Sequence, residues 1–235
     1  MKKIAFIGSY DKLDMLIYIG KIMTTLGKRV LIIDGTVIQK SRYTVPTIEK
    51  GVPGYVTDFE GVDVAVGFKE LGMLLSYLGI RSIEEVRYDI VLVDVDTFAG
   101  FMRYELTNCY KNYFVTGFDN YTLKRGMEVL TRMSEPIKME KIFYSRNQSR
   151  EEDEYFEFLA KDCPVEWTKE KIYFPFDQGD QSVINENQRL QRIKFKFLTS
   201  QYKDSLAYLT EEILLDENVS SREIKNVVRR IEKGA

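Results

Sequence analysis

KKIAFIGSYDKLDMLIYIGKIMTTLGKRVLIIDGT, residues 2–36, reads as strand, turn, helix, strand. The strands are Lys3–Gly8 and Arg29–Asp34, and a helix of about Lys12–Leu26 lies between them, stopped by Gly27. Ile4-Ala5-Phe6-Ile7 and Val30-Leu31-Ile32-Ile33 are unbroken apolar runs, the pattern of parallel strands covered on both faces. Leu13, Leu16, Ile17, Gly20 and Met23 recur at helical spacing, giving the connecting helix one face to lay on a sheet. Two parallel strands require such a crossover, and it should be right-handed. The chemistry then falls to the turn, Gly8-Ser9-Tyr10-Asp11-Lys12-Leu13.

Composition narrows the choices. The chain has 235 residues, 44% of them hydrophobic, enough for one sizeable core. A formal net charge of −2 gives no global attraction to nucleic acid or anionic lipid. There is no histidine, which excludes histidine-based triads, histidine general bases and histidine metal ligands. Cys109 and Cys163 show no metal-ligand spacing and fit a reduced, cytoplasmic protein, although spacing alone leaves a disulfide open. The N-terminal apolar run is too short for a signal peptide, and no segment approaches the ~20 apolar residues of a membrane span.

Further along, residues 35–54 read as irregular, broken by Pro46, Gly51, Pro53 and Gly54. Strands are expected at Val62–Phe68, Tyr88–Asp94, Asn112–Thr116, Lys141–Ser145 and Lys171–Phe174. Helices are expected at Lys69–Leu78, Phe98–Tyr110, Tyr121–Met133, Glu151–Lys161, Asp180–Arg189, Thr199–Leu215 and Ser221–Glu232, with a capped turn at Ser82–Glu85. The alternation predicts an α/β fold: a doubly wound, mostly parallel sheet flanked by helices. With no repeat or linker, residues 1–235 are read as one domain closed by C-terminal helices over 199–233.

The first unit resembles the opening of the ParA/MinD group of P-loop ATPases, in which a strand, a deviant Walker loop and a helix precede L-G-K-x-V-L-x-I-D. Here Leu26-Gly27-Lys28-Arg29-Val30-Leu31-Ile32-Ile33-Asp34 carries that signature. The resemblance continues through Tyr88–Asp94, Asn112–Thr116 and Lys171-Ile172-Tyr173-Phe174-Pro175-Phe176-Asp177, covering roughly residues 2–190. It implies a P-loop NTPase-like fold, with Gly8, Lys12, Pro175 and Asp177 around a nucleotide and Asp34 and Asp94 around magnesium. ATP and Mg are therefore the candidate cofactors.

The departures matter as much. A phosphate cradle needs glycines that let backbone N–H groups approach the anion, and a Ser or Thr after the lysine to hold the metal. Asp11 and Leu13 flank Lys12 instead. The family's second switch aspartate corresponds to Thr36, and its adenine-contacting asparagine to Ser145, with Asn147 two residues late. Phosphoryl transfer depends on positioning and electrostatics, so these changes should impair hydrolysis severely.

Each candidate has a plainer reading. Lys12 could be a solvated first-turn residue; Asp34, Asp94 and Asp96 could cap helix N-termini; Asp11 could mimic the phosphate at the helix N-terminus. Arg189, Arg192, Lys194, Lys196 and Lys203, interleaved with Phe195, Phe197 and Tyr202, form a basic aromatic strip that could follow DNA or could be a solvated surface connection. Ile224, Val227, Val228 and Ile231 form the apolar stripe of a basic C-terminal helix, suited to packing on the domain or, as in MinD-type proteins, to peripheral membrane attachment. Tyr and Phe are abundant (15 and 14), and exposed ones would suit protein contacts. The leading expectation is a degenerate ParA/MinD-like protein with little or no ATP hydrolysis. It would act as a localisation or assembly scaffold through a protein partner or a homodimer, with TadZ/CpaE-type proteins as the analogy. The alternatives are an atypical ATP-binding ATPase for positioning on DNA or membrane, and a nucleotide-free DNA-binding module.

Overall fold

The computed structural model describes residues 1–47, 51–175 and 177–234. Phe176 of the F-P-F-D motif, and residues 48–50 of the irregular stretch, lie outside the described residues. The strands are β1 (Lys2–Ile7), β2 (Val30–Asp34), β3 (Tyr55–Phe59), β4 (Val62–Val66), β5 (Ile90–Val95), β6 (Lys111–Thr116), β7 (Ile137–Phe143) and β8 (Val165–Tyr173). They form one sheet in the order β3-β4-β2-β5-β1-β6-β7-β8. All pairings are parallel except β3 with β4. The first two strands are therefore parallel, with β5 inserted between them.

The helices are α1 (Leu13–Thr25), α2 (Ser41–Thr44), α3 (Leu71–Leu78), α4 (Phe98–Arg103), α5 (Asn120–Leu130), α6 (Arg150–Ala160), α7 (Gln178–Arg189), α8 (Ser200–Ile213) and α9 (Ser221–Glu232). Side chains alternate across each strand, so the sheet builds two cores. Ile4, Phe6, Val30, Ile32 and Leu92 face α1, α7, α8 and α9. Ala5, Ile7, Ile33, Val91 and Val93 face α3, α4, α5 and α6. Among the described residues, no helix is long and apolar enough to cross a membrane.

Several boundaries differ from the sequence expectation. The irregular stretch does contain a short helix, α2, and leads directly into β3, which the turn residues on either side conceal. Thr57 and Asp58 dilute β3's apolar pattern because it is the antiparallel edge strand. The expected helix Phe98–Tyr110 ends at Arg103, because Glu105 adopts a left-handed conformation (φ 54°) and a 3-10 turn follows at Leu106–Asn108. Strands β7 and β8 begin earlier than expected, at alternating polar positions where β8 forms the other edge.

Helix α9 matches its expected bounds, and its apolar stripe is not free. Ile224, Val227, Val228 and Ile231 are buried in the core shared with α1 and α8, while Arg230 Nη2 donates to Thr25 O and Lys203 pairs with Glu232 at 2.8 Å. The face that a membrane would need is already covered.

Candidate functional site

The parallel strands β1, β2 and β5 end together, and their register sets the site. Asp34 and Asp94 are direct partners across β2 and β5, and Phe6 pairs with Asp94 across β1 and β5. Both carboxylates alternate with core residues of the opposite face, so both point to the side of α1. The turn from β1 to α1 passes over them. Gly8 is at φ +138°, a region that L side chains rarely adopt, and a Cβ there would lie 2.2 Å from Val115 O. A glycine is thus required at this position by the approach of β6, whether or not a ligand binds.

Lys12 is neither solvated nor directed to open space. Its side chain is 1% exposed; Nζ donates to Gly8 O at 2.7 Å and Tyr10 O at 3.3 Å and pairs with Asp94 Oδ1 at 2.6 Å. Burial pushes the Asp94 carboxyl up to about 7, with Lys12 opposing and the Asp34 and Asp11 charges adding to the shift. Asp34 is also occupied: Oδ1 accepts from Thr36 N and Thr36 Oγ1, and Oδ2 accepts from Ser41 N. Asp96 accepts from Val37 N. These carboxylates organise the segment 36–41.

Above them, Lys40 Nζ bridges Asp11 and Asp14, each at 2.6 Å, tying the segment after β2 to the β1–α1 turn. Asp11 Oδ1 also accepts from Leu13 N at 3.3 Å. A cavity of about 200 Å³ remains, lined by Ser9, Lys12, Asp34, Thr36, Asp94 and Asp96 among others. The Ser9 hydroxyl is buried without a hydrogen-bond partner among the described residues. Beside the turn, the Tyr10 ring stacks on Tyr144 (4.1 Å, 21°), which stacks on Phe174 (5.5 Å, 25°). Tyr144 follows β7 and Phe174 follows β8, next to Ser145 and Pro175, the positions to which the resemblance assigns the base. Asp177 caps α7 through Gly179 N and Asp180 N.

Lys40 and Tyr10 carry much of this geometry, and sequence reasoning missed both. Lys40 lies in a stretch without periodicity, and Tyr10 matches no motif. Among the described residues no cluster of three or more Cys, Asp or Glu is arranged to hold a metal. The donor set at the turn fits Mg-ATP poorly: Leu13 offers no metal-binding hydroxyl, two acidic side chains stand at the helix start, and the lysine charge is spent on Asp94.

The basic strip is divided. Arg192 is half-buried and pairs with Glu186 at 2.6 Å, and Phe195 is core. Arg189, Lys194 and Lys196 are exposed, Lys196 lying 5.2 Å from the centre of the Phe197 ring. Of the aromatics outside the expected strands, Tyr55, Phe59, Phe101, Tyr104 and Phe156 are buried, whereas Tyr110 and Phe158 are exposed. Cys109 and Cys163 are free thiols.

The eight-stranded sheet and its helices align over nearly the whole chain with solved structures. One is MinD in the MinC:MinD cell division complex of Aquifex aeolicus, at 16% identity and TM-score 0.51, covering 100% of this chain and 97% of that one. The fold is ParA/MinD-like. A putative plasmid partition protein of Borrelia burgdorferi B31 bound to AMPPNP superposes at 12% identity and TM-score 0.53, covering 92% of this chain and 100% of that one. A ParA family ATPase of Chlorobium tepidum TLS does so at 13% identity and TM-score 0.50, covering 97% and 96%. No family model and no curated protein matches the sequence. At these identities the likeness shows the ParA/MinD-like fold alone.

Proposed function

We propose that this chain acts as one domain, a localisation or assembly factor that uses a ParA/MinD-like frame for protein–protein contacts and hydrolyses little or no ATP. The observation that carries the reading is the closed Lys12–Asp94 pair beneath the Lys40 bridge to Asp11 and Asp14. A triphosphate would have to displace both and approach two carboxylates, at a cost that the absent glycines and magnesium hydroxyl do not offset. The Tyr10–Tyr144–Phe174 stack lies next to Ser145 and Pro175, the positions to which the resemblance assigns the base. Val37, Ile38 and Tyr43, on the segment that follows β2, are 73%, 75% and 81% exposed, and Tyr121, at the start of α5, is exposed as well. Such a run suits a protein partner, and that the MinD neighbour is in a complex with MinC is consistent with this use of the fold.

A thermal-shift titration tests the reading. A ligand that binds the native state raises the melting temperature. The expected result is no shift with millimolar Mg-ATP. A saturable shift abolished by Lys12→Ala would overturn the proposal in favour of an atypical ATPase. One observation favours that second reading: the remaining cavity, with a Ser9 hydroxyl that has no partner among the described residues.

A further inference from the structure

A groove of about 520 Å³ runs between α4 and α5. Its apolar lining includes Val37, Phe98 and Val129, and three arginines, Arg103, Arg125 and Arg132, stand around it. Only Arg125 makes an ion pair among the described residues, with the groove's one carboxylate, Glu128. The Arg132 guanidinium lies 6.0 Å from the Phe98 ring centre, cationic charge over an aromatic lining. In a protein of net charge −2, this is a local basic, apolar-lined groove.

The neighbouring helix on the same face of the sheet has the complementary character. Helix α6, REEDEYFEFLA, carries five acidic residues against one basic, Glu151, Glu152, Asp153, Glu154 and Glu157 against Arg150. Glu151, Glu154 and Phe158 fall at i, i+3 and i+7 on its exposed side. Phe158 is 72% exposed although Phe156, two residues earlier, is wholly buried. Glu151 makes no ion pair among the described residues, and Glu154 pairs only with its exposed helix neighbour Arg150, at 2.8 Å.

We infer that α6 of one copy docks in the α4–α5 groove of a second copy, with Phe158 entering the apolar lining and Glu151 and Glu154 meeting Arg103 and Arg132. The groove and α6 flank α5, so a twofold axis over α5 places each acidic helix on the other copy's groove, and the contact closes as a dimer. Complementary charge fixes the register and the aromatic anchor supplies the burial. The dimer makes a second copy one of the partners in the role proposed above. It needs no nucleotide, so the thermal shift tests that role while self-association tests only this contact.

Sedimentation velocity at high micromolar concentration is the experiment. The expected result is a dimer without nucleotide that weakens at about 1 M salt, where charge attraction is screened. Phe158→Glu, or Arg103→Glu with Arg132→Glu, should each weaken it by about tenfold or more. All three positions are exposed, so melting temperatures should hold. Mixing the two variants restores one intact groove–helix contact per pair and should recover part of the association. A monomeric wild-type chain, or a dimer indifferent to both variants, overturns the inference.

Discussion

Lys12 was legible in the sequence as a residue of consequence, yet its partner was not. Counting back from Leu26-Gly27 places it on the loop lysine of the ParA/MinD pattern, but only the register of β2, β5 and β1 brings Asp94 to its ammonium. The pair is buried, so removing one member strands the other. Lys12→Met should destabilise the protein by about 3–5 kcal/mol, and adding Asp94→Leu should recover most of that loss, measured by denaturant unfolding. Asp94 also predicts a pH dependence. Its folded carboxyl stands at about 7 against an ordinary 3.8, so between these values the folded state holds a proton that the unfolded chain has released. Stability therefore falls as pH rises through that window and is flat above it. Melting curves of the wild type minus those of Asp94→Asn should show this slope. Asp89 runs the other way: the Arg29 guanidinium and backbone N–H hold it down at about 2, so its contribution is lost in strong acid.

At the scale of elements, α9 shows how a pattern can be right while its use stays open. Spacing alone located the helix and its stripe of Ile224, Val227, Val228 and Ile231, but a stripe can be satisfied by a membrane, a partner or the chain itself. Packing on α1 and α8 decides for the chain itself. Ile224→Ala should cost about 2–5 kcal/mol of unfolding free energy, as for a core isoleucine. The full chain should stay in the supernatant when sedimented with anionic vesicles, because the apolar face of α9 is spent. The missed strand β3 is the converse case. It sits at the sheet edge, pairs antiparallel and needs fewer apolar residues, so its signal never rose above that of the surrounding breakers.

For the whole molecule, the strand order makes the centre and the margins unequal. β5 lies between β1 and β2, buried on both faces, while β3 and β8 each lack a neighbour on one side. Native-state hydrogen exchange should be slowest in β1, β2 and β5 and fastest in β3 and β8. Equal protection across the sheet would contradict the layered core. The two faces also differ in what they present. The α1 side holds the Lys12 site and the C-terminal helices, whereas the α4–α6 side presents the arginine groove and the acidic helix.

The sequence by itself determined the α/β class, the parallel central strands and the helices between them, because burial on two faces and helical periodicity are written in neighbouring residues. It also set Asp11 and Leu13 on either side of Lys12, where the resemblance implies glycine and a hydroxyl. Only the tertiary structure decided that Lys12 is held by Asp94, that Lys40 bridges the turn, and that Tyr10 stacks on Tyr144. Those partners lie far apart along the chain. Their meeting depends on strand order and register, which no local pattern encodes.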